Sequence, residues 1–322
     1  MAFDAEDELT ADRAAGSALR LRNWKQIVEK VDFAFQPIVN PHTGHIFGYE
    51  ALLRRWEDSG FDSIQSLFDT AWETGNLHGV DMMLREKAIA KFARLPEARR
   101  LKLFYNFDSR VVRTPDYQPG RTAELLRKAG LERDTIFLEI SERHDISNAQ
   151  YLQDILTRYR SQGFKVAIDD YGSGFAQLRA LYECEPDIIK IDRFFIDGID
   201  RDRRKELFVS QITAFAHMIA AQVVAEGVET REEFLCCRRI GCDLVQGFFI
   251  ARPSVDLPER TDIVPAISGV AIENRRGVER DGDVLRSYLL ETPPIENNIN
   301  PVEILSYFQK NTDIAIAPVI NR

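Results

Sequence analysis

Strand-like and helix-like segments alternate along most of this 322-residue chain, and this order constrains the fold more than any other feature. The strand-like segments are FAFQPIV (33–39), IFGYEALL (46–53), LKLFYNF (101–107), IFLEIS (136–141), KVAIDD (165–170), DIIKID (187–192), AQVVAEGV (221–228) and DLVQGFFI (243–250). Strands separated by helices pair in parallel, with the helices packed outside. Eight strands within about 230 residues match a (β/α)8 barrel better than an open doubly wound sheet.

Amphipathic helices are predicted over residues 82–95, 151–163, 206–221 and 230–241. Thr230 with Glu233 three residues later predicts a capping box at the start of the last of these helices. Gly163 and Gly241 stand where helix C-caps belong.

The first two strands depart from the alternating pattern. Only NPHTGH (40–45) joins them, and this turn is too short for a helix. The two strands must therefore be antiparallel neighbours. The predicted fold class is α/β, a modified (β/α)8 TIM-like barrel with an antiparallel first strand pair, plus a C-terminal extension.

The apolar pattern changes near both ends of the chain, which predicts three segments. Residues 1–24 are charged and polar and are expected to form a lead-in helix, and residues 25–255 hold the barrel. Residues 256–322 are polar and proline-punctuated until a final amphipathic helix and the strand IAIAPVI, and we expect a linker there.

Composition excludes several function classes. A net charge of −9 argues against nucleic acid or an anionic membrane surface as the main partner. No apolar stretch is long enough to span a bilayer, and nothing at the N-terminus resembles a signal peptide. Cys184, Cys236, Cys237 and Cys242 form no CxxC motif, so free thiols and a cytoplasmic location are expected.

Polar residues stand near the end of almost every strand-like segment. They are Glu50, Asn106, Glu139, Asp169, Asp170, Lys190, Glu226 and Gln246. A charge at such a site costs free energy unless it is paired or bound to a metal. In a barrel these strand ends converge on one face, the face that carries catalysis.

This set of side chains favours hard divalent cations. Five carboxylates and an amide oxygen, without thiolate or imidazole, suit Mg²⁺ or Mn²⁺ better than zinc. Carboxylates around a shared aspartate suggest two ions, the arrangement that hydrolyses phosphodiesters, with Asp169 bridging them and Asp170 serving one. Lys190 would stand beside the attacking water or the scissile phosphate, and Arg54 would clamp a phosphate. The alternative is a metal-free, salt-bridged barrel mouth, with Lys190 against Asp169 and Asp170 at its centre.

Residues 25–255 resemble an EAL domain, the cyclic di-GMP phosphodiesterase family. The resemblance rests on EALLR (50–54), FQPIV, FLEISE, VAIDDYGSGFAQL, IIKIDRFFI, VVAEGVET and VQGFFIARP, which follow the family's order. It implies hydrolysis of one phosphodiester bond of cyclic di-GMP to give linear pGpG.

The resemblance also implies a role for each site residue. One Mg²⁺ or Mn²⁺ ion would be held by Glu50, Asn106, Glu139 and Asp169, and a second by Asp169, Asp170 and Glu226. Lys190 and Gln246 would order the water, and Gln36, Leu52 and Arg54 would contact the nucleotide. Glu229 is grouped with the catalytic residues, which it would support indirectly. Glu142 would brace the loop after the two aspartates.

The chain departs from the family in that loop. It reads DDYGSGFAQL where the family more usually has DDFGTGYSSL, and FDS replaces the usual short segment after Asn106. Family members often dimerise near the loop, so a homodimer is expected, although Ala176 and Gln177 put the loop's coupling to dimerisation in doubt. The C-terminal tail resembles the opening of a CBS domain, which would mean that regulatory domains are missing; the alternative is a solvated extension.

Two rival functions stay open. The chain would be a receptor that binds cyclic di-GMP without cutting it, or a phosphodiesterase for another cyclic or linear dinucleotide. Degenerate family members usually lose the motif glutamate, a paired aspartate or the lysine, whereas Glu50, Asp169, Asp170 and Lys190 are all present here.

Overall fold

Eight strands close into a barrel, as the sequence predicts. The computed structural model describes residues 24–141, 157–172 and 185–259, together with positions 264, 267, 295–296, 303–304 and 319–320. The barrel strands are β1 (Asp32–Val39), β2 (Ile46–Arg54), β3 (Lys102–Asn106), β4 (Ile136–Ser141), β5 (Lys165–Tyr171), β6 (Ile188–Ile191), β7 (Gln222–Ala225) and β8 (Leu244–Val245). The expected modified (β/α)8 fold is confirmed.

The first strand runs against both of its neighbours. β1 pairs antiparallel with β2, where Gln36 lies opposite Glu50, and antiparallel with β8, whereas the other barrel neighbours are parallel. The turn between β1 and β2 is closed by Asn40, whose backbone N–H donates to the His45 carbonyl at 2.9 Å. The Asn40 side chain also accepts the backbone N–H of His42 at 2.9 Å. The short turn therefore reverses the chain, as predicted.

Helices surround the barrel. The described helical segments are α1 (24–30), α2 (Ile64–Glu73), α3 (Leu77–Phe92), α4 (Arg121–Lys128), α5 (157–161), α6 (Arg193–Ile196), α7 (Arg203–Met218) and α8 (Arg231–Arg239), with 3-10 turns at Glu57–Ser59, Ser109–Arg113 and Arg133–Thr135. The four predicted helices correspond to α3, α5, α7 and α8. Sequence reasoning missed α2 and α4, whose apolar stripes are short, and the short helices α1 and α6.

The predicted capping box at the start of α8 is present. Thr230 Oγ1 accepts the Glu233 N–H at 3.2 Å, and Glu233 Oε2 accepts the Thr230 N–H at 3.0 Å. Gly163 and Gly241, the predicted C-cap positions, have φ values of 86° and 93°, a conformation that favours glycine.

The barrel interior explains where the polar residues lie. An apolar cluster fills it, made of Ile38, Phe104, Phe137, Ala167, Ile188, Val224 and Leu244. In the parallel strands, each of these residues precedes a predicted site residue by two positions, as Phe137 precedes Glu139. Side chains two apart on a strand share a face, so the polar residues form the next layer above this apolar plug.

His78 on α3 makes the fold sensitive to mild acid. The side chain is buried against the Tyr117 ring, and among the described residues neither ring nitrogen has a hydrogen-bond partner. Burial lowers the pKa of His78 below its usual value of 6.5, and Arg85 and Arg121 lower it further while Asp116 opposes them.

We expect the free energy of unfolding to fall as pH drops below about 6.5. In this range His78 binds a proton in the unfolded chain but stays neutral in the folded chain, where its pKa is lower. Urea unfolding of the wild type and of His78→Phe at pH 7 and pH 5 measures this term. The variant should lose less stability between the two pH values. Equal losses in the two proteins would contradict the assignment to His78.

The chain divides into two compact units, Met1–Ala271 and Ile272–Arg322. In the second unit β9 (Ile295–Glu296) pairs in parallel with β10 (Val319–Ile320), and β10 falls in the predicted strand IAIAPVI. Residues 1–23 of the predicted lead-in helix (1–24) and Cys184 lie outside the described residues. Cys236, Cys237 and Cys242 are buried free thiols, as expected. Within the described part of the chain, no helix is both long and apolar enough to cross a bilayer.

Candidate active site

The polar layer above the apolar plug gathers the predicted side chains at one mouth of the barrel. Glu50, Glu139, Asp169, Lys190 and Gln246 are buried there. Asp170 and Glu226 are half-buried at the rim of this layer, and Asn106 is exposed. Burial of so many ionisable groups requires that their charges be compensated locally.

Lys190 lies at the centre of this layer and is fully buried. Its Nζ lies 2.6 Å from Glu139 Oε1 and 2.7 Å from Glu226 Oε1. It also lies 3.0 Å from Asp169 Oδ1 and 3.5 Å from Glu50 Oε2. One ammonium group therefore contacts four carboxylates, which matches the salt-bridged centre that the sequence left open as an alternative. Asp169, one of the two aspartates expected beside Lys190 in that alternative, is among the four.

The carboxylates in this cluster outnumber the one ammonium group that contacts them. Burial raises the pKa of Glu139 well above its usual range, and the charges of Glu50 and Asp169 raise it further, against the effect of Lys190. Burial likewise raises the pKa of Glu226, helped by Asp169. Burial alone would lower the pKa of Lys190, but the surrounding carboxylates hold it well above its usual value. The site therefore carries an excess of negative charge and favours additional positive charge.

A bulge in β5 lets two consecutive aspartates serve one site. Neighbouring side chains on a regular strand point to opposite faces, but the register of β5 against β6 shifts between Ile168 and Tyr171. Asp170 takes a positive φ of 54° within this shift. Carboxylate oxygens of Asp169, Asp170 and Glu226 consequently lie within 4.8 Å of one another.

Amides orient the motif glutamate of β2. Asn106 Nδ2 donates to Glu50 Oε1 at 3.1 Å, and Gln246 Nε2 donates to Glu50 Oε2 at 2.7 Å. Gln246 Nε2 also lies 3.2 Å from Gln36 Oε1, while Gln36 Nε2 donates to the Ala251 carbonyl at 3.1 Å. Gln36 is thus buried in a hydrogen-bonded chain that reaches Glu50 through Gln246, and its contact with the nucleotide stays a prediction.

The residues present fit a divalent cation. Carboxylate oxygens of Glu50, Glu139 and Asp169 form one group within 4.8 Å, and those of Asp169, Asp170 and Glu226 form another. Asp169 belongs to both groups, as expected for a bridging ligand. Glu139 Oε2 and Gln246 Oε1 are buried and accept no hydrogen bond from any described residue. Unsatisfied oxygens of this kind are the ligands that magnesium and manganese take.

A cavity of about 300 Å³ opens beside the carboxylates. It is lined by Phe33, Ala51, Leu52, Leu53, Arg54, Ile64, Gln65, Phe68, Leu84, Tyr105, Asn106, Phe107, Asp108 and Glu139. Two predicted nucleotide contacts, Leu52 and Arg54, are among these residues. The wall opposite them comes from α2, through Ile64 and Phe68, which the sequence analysis did not single out. Ser63, whose side chain caps α2 through the Ser66 N–H at 3.0 Å, is the signal that would have located this helix.

Glu229 pairs with a residue outside the carboxylate cluster, and Glu142 lies outside the described residues. Glu229 is exposed and pairs with Arg193, whose Nη2 lies 2.8 Å from Glu229 Oε1. Its backbone N–H donates to Glu233 at 2.8 Å, so Glu233 rather than Glu229 holds the turn after Glu226. Glu142 lies outside the described residues, as do Ala176 and Gln177, and their predicted effects on the loop stay predictions.

The strand that carries the two aspartates ends against an aromatic ring. Gly172 has a φ of 110°, and an added Cβ would lie 2.1 Å from Cε2 of Phe195. We expect Gly172→Ala to lower the free energy of unfolding by about 1–3 kcal/mol and to weaken Mn²⁺ binding, because the clash displaces β5 next to Asp170.

Gly75→Ala is the matched control, because Gly75 also has a positive φ, of 68°, but no atom lies within 4 Å of the added Cβ. Urea unfolding and Mn²⁺ titration of both variants separate backbone strain from the clash. A Gly172→Ala variant that binds Mn²⁺ as the control does would show that β5 accommodates the methyl group.

Comparisons with known proteins match the barrel. The profile of the EAL domain matches residues 24–253. Cyclic di-GMP phosphodiesterase NbdA of Pseudomonas aeruginosa is 30% identical over 229 residues, which cover 70% of this chain and 29% of NbdA. The chain therefore spans less than a third of the length of this curated relative.

Solved structures show the same fold. A standalone EAL protein of Vibrio cholerae O395, determined with c-di-GMP bound, matches with a TM-score of 0.63 at 30% identity and covers 74% of this chain and 97% of that chain. BlrP1 of Klebsiella pneumoniae, determined with manganese and cy-diGMP, matches with a TM-score of 0.61 at 29% identity, covering 70% of this chain and 56% of that chain. With most of the barrel matched by the domain profile, the chain belongs to the EAL domain family.

Proposed function

We propose that this chain is a metal-dependent phosphodiesterase that hydrolyses cyclic di-GMP to linear pGpG with two divalent cations. The charge of the polar layer is the observation that carries the proposal. Glu50, Glu139, Asp169, Asp170 and Glu226 against Lys190 leave a formal charge of −4, which two divalent cations neutralise. NbdA, named a cyclic di-GMP phosphodiesterase, and BlrP1 with manganese and cy-diGMP support this assignment.

Two overlapping sets of residues are assigned to the two cations. Glu50, Asn106, Glu139 and Asp169 hold one Mg²⁺ or Mn²⁺ ion, and Asp169, Asp170 and Glu226 hold the other. Bound ions would supply an activated water and neutralise the charge that develops on the phosphate.

Lys190, in contact with both groups of carboxylates, places a fixed positive charge beside the reacting atoms and favours the ionised form of the ligands. Gln246 orders the water through its buried Oε1, which accepts no hydrogen bond from the described residues.

Substrate binds in the cavity next to the carboxylates. The volume of the cavity, about 300 Å³, falls at the lower end of the volumes of ligand pockets and suits one half of a dinucleotide. Leu52, Ile64 and Phe68 offer apolar surface for a base. Arg54, half-buried at the end of β2, places its guanidinium for a phosphate.

A homodimer is proposed from an apolar surface on α6 and α7. Phe194 and Met218 are 67% and 77% exposed, and Leu207, Phe208 and Phe215 on α7 and Ile219 just after it are exposed as well. Exposed apolar patches of this kind mark association surfaces. Phe195 stacks on Phe208 with ring centroids 4.6 Å apart, so the patch continues to the ring that packs on Gly172.

A cytoplasmic location and a CBS-like C-terminal segment stay proposals of the sequence analysis.

The test is a product assay. The purified chain is incubated with cyclic di-GMP and Mg²⁺ or Mn²⁺, with an EDTA control, and the products are separated by chromatography. We expect pGpG in the metal-containing samples only. Tight binding of intact cyclic di-GMP without pGpG would contradict hydrolysis and favour a receptor. Faster cleavage of cyclic di-AMP would contradict cyclic di-GMP as the substrate.

A further inference from the structure

A buried ion pair lies behind the third strand, outside the carboxylate layer. Asp81 and Arg85 are one turn apart on α3 and are 0% and 1% exposed. Arg85 Nη2 contacts Asp81 Oδ2, and Arg85 Nη1 donates to Thr122 Oγ1 on α4 at 2.6 Å. The guanidinium is therefore fixed from two helices.

The pair contacts both chain neighbours of Asn106. The Tyr105 hydroxyl donates to Asp81 Oδ1 at 3.2 Å. The guanidinium carbon of Arg85 lies 5.2 Å from the Tyr105 ring centroid and 5.4 Å from the Phe107 ring centroid. Because side chains alternate along a strand, Tyr105 and Phe107 face α3 while Asn106 faces the barrel mouth. Two cation–π contacts and one hydrogen bond thus hold the strand on either side of Asn106.

The end of β3 is also hydrogen-bonded to two of the proposed metal ligands. Asn106 Nδ2 donates to Glu50 Oε1 at 3.1 Å, and the Phe107 backbone N–H donates to the Glu139 carbonyl at 2.9 Å. Asn106 is also the register partner of Glu139 in the sheet. A shift of the end of β3 would therefore move Asn106 and disturb Glu50 and Glu139 together.

Stability alone does not account for this ion pair. Apolar side chains of similar volume usually replace a buried ion pair with no loss of stability, since desolvation of two charges cancels most of their attraction. What apolar packing lacks is direction: a planar guanidinium with fixed donors sets the position of the groups around it.

We propose that Asp81 and Arg85 are positioning residues, which hold the end of β3 where Asn106 and Glu139 bind the divalent cation. This inference rests on the proposed function, because it concerns the same metal site. The pair itself touches neither the cation nor the substrate.

The test compares Mn²⁺ affinity, measured by calorimetry on the full chain without substrate, with stability in urea. We expect Asp81→Leu/Arg85→Met to bind Mn²⁺ at least about 10-fold more weakly, the effect of losing an outer contact to a metal ligand, while its unfolding midpoint stays near that of the wild type. Tyr105→Phe, which loses only the hydroxyl, should weaken binding about 3-fold. It keeps the test usable if the double variant does not fold.

Asp32→Leu/Lys91→Met is the matched control. Lys91 lies on the same helix, and its Nζ pairs with Asp32 Oδ1 of β1 at 2.9 Å. Among the described residues, neither member of this pair contacts a proposed metal ligand or the end of β3. The control should keep wild-type Mn²⁺ affinity. Wild-type affinity in both Asp81→Leu/Arg85→Met and Tyr105→Phe would overturn the inference, and so would an equal loss in the control. A wild-type chain that binds no Mn²⁺ would contradict the proposed function itself.

Discussion

Glu139→Gln should abolish cyclic di-GMP hydrolysis and at the same time make the metal-free protein more stable. Glu139 is fully buried and belongs to the group of carboxylates that would share one cation, so the amide removes a charged ligand. We expect kcat to fall by at least about 10³-fold, a loss that added metal does not restore.

The gain in stability follows from the raised pKa of Glu139. A carboxyl whose pKa is raised by folding is destabilised as the anion, so its ionised form costs stability near pH 7. Glutamine resembles the neutral form and removes this cost. The melting temperature with EDTA should rise, by about 2–4 °C for each kcal/mol gained in a domain of this size.

Glu233→Gln is the matched control, because Glu233 is also a buried glutamate but accepts backbone N–H groups of Gly198, Glu229 and Thr230. These hydrogen bonds outweigh burial and lower its pKa, so its charge stabilises the fold. Glu233→Gln should therefore lower the melting temperature. A Glu139→Gln variant that is less stable than the wild type with EDTA, or that keeps near-normal kcat, would contradict the account of this cluster.

Lys190→Met should be the most destabilising single change at the site. Its ammonium group lies within 3.5 Å of four carboxylates, and no other cation contacts these four oxygens in the described part of the chain. Removing one partner from a buried cluster of charges typically costs about 3–5 kcal/mol. Unfolding in urea with EDTA measures this loss, and Mn²⁺ should restore part of it because cations that bind only the folded chain stabilise it.

Lys165→Met tests whether burial is responsible for the loss of stability expected in Lys190→Met. Lys165 Nζ pairs with Asp187 Oδ1 at 2.6 Å on the neighbouring pair of strands, but its side chain is 46% exposed. An exposed pair contributes about 0–1 kcal/mol, so this variant should stay close to the wild type. If Lys190→Met loses no more stability than Lys165→Met, the carboxylates do not need the lysine, and the charge argument fails.

Much of the fold and of the polar layer could be predicted from the sequence, because both depend on local rules. The short turn 40–45 requires an antiparallel first pair, and the β1–β2 pairing confirms it. Polar residues near strand ends converge because parallel strands end on one face of a barrel. Their two-residue spacing from apolar residues such as Phe137 and Val224 places them in one layer.

What could not be predicted depends on contacts between distant segments. Lys190 reaches four carboxylates because of the barrel's diameter and strand register, which the sequence does not show. The Glu229 side chain pairs with Arg193, while its backbone N–H donates to Glu233 from the following helix. Gln36 is buried because β1 pairs with β2 in a register that places it opposite Glu50. Motif similarity assigned roles to Gln36 and Glu229 but not their surroundings.

Crystals of the wild-type chain soaked in Mn²⁺ test the central claim most directly, through an anomalous difference map at the barrel mouth. The account predicts two peaks, one within bonding distance of Glu50, Glu139 and Asp169 and the other within bonding distance of Asp169, Asp170 and Glu226. A map without peaks among these carboxylates, with Lys190 still paired to all four of its partners, would contradict it.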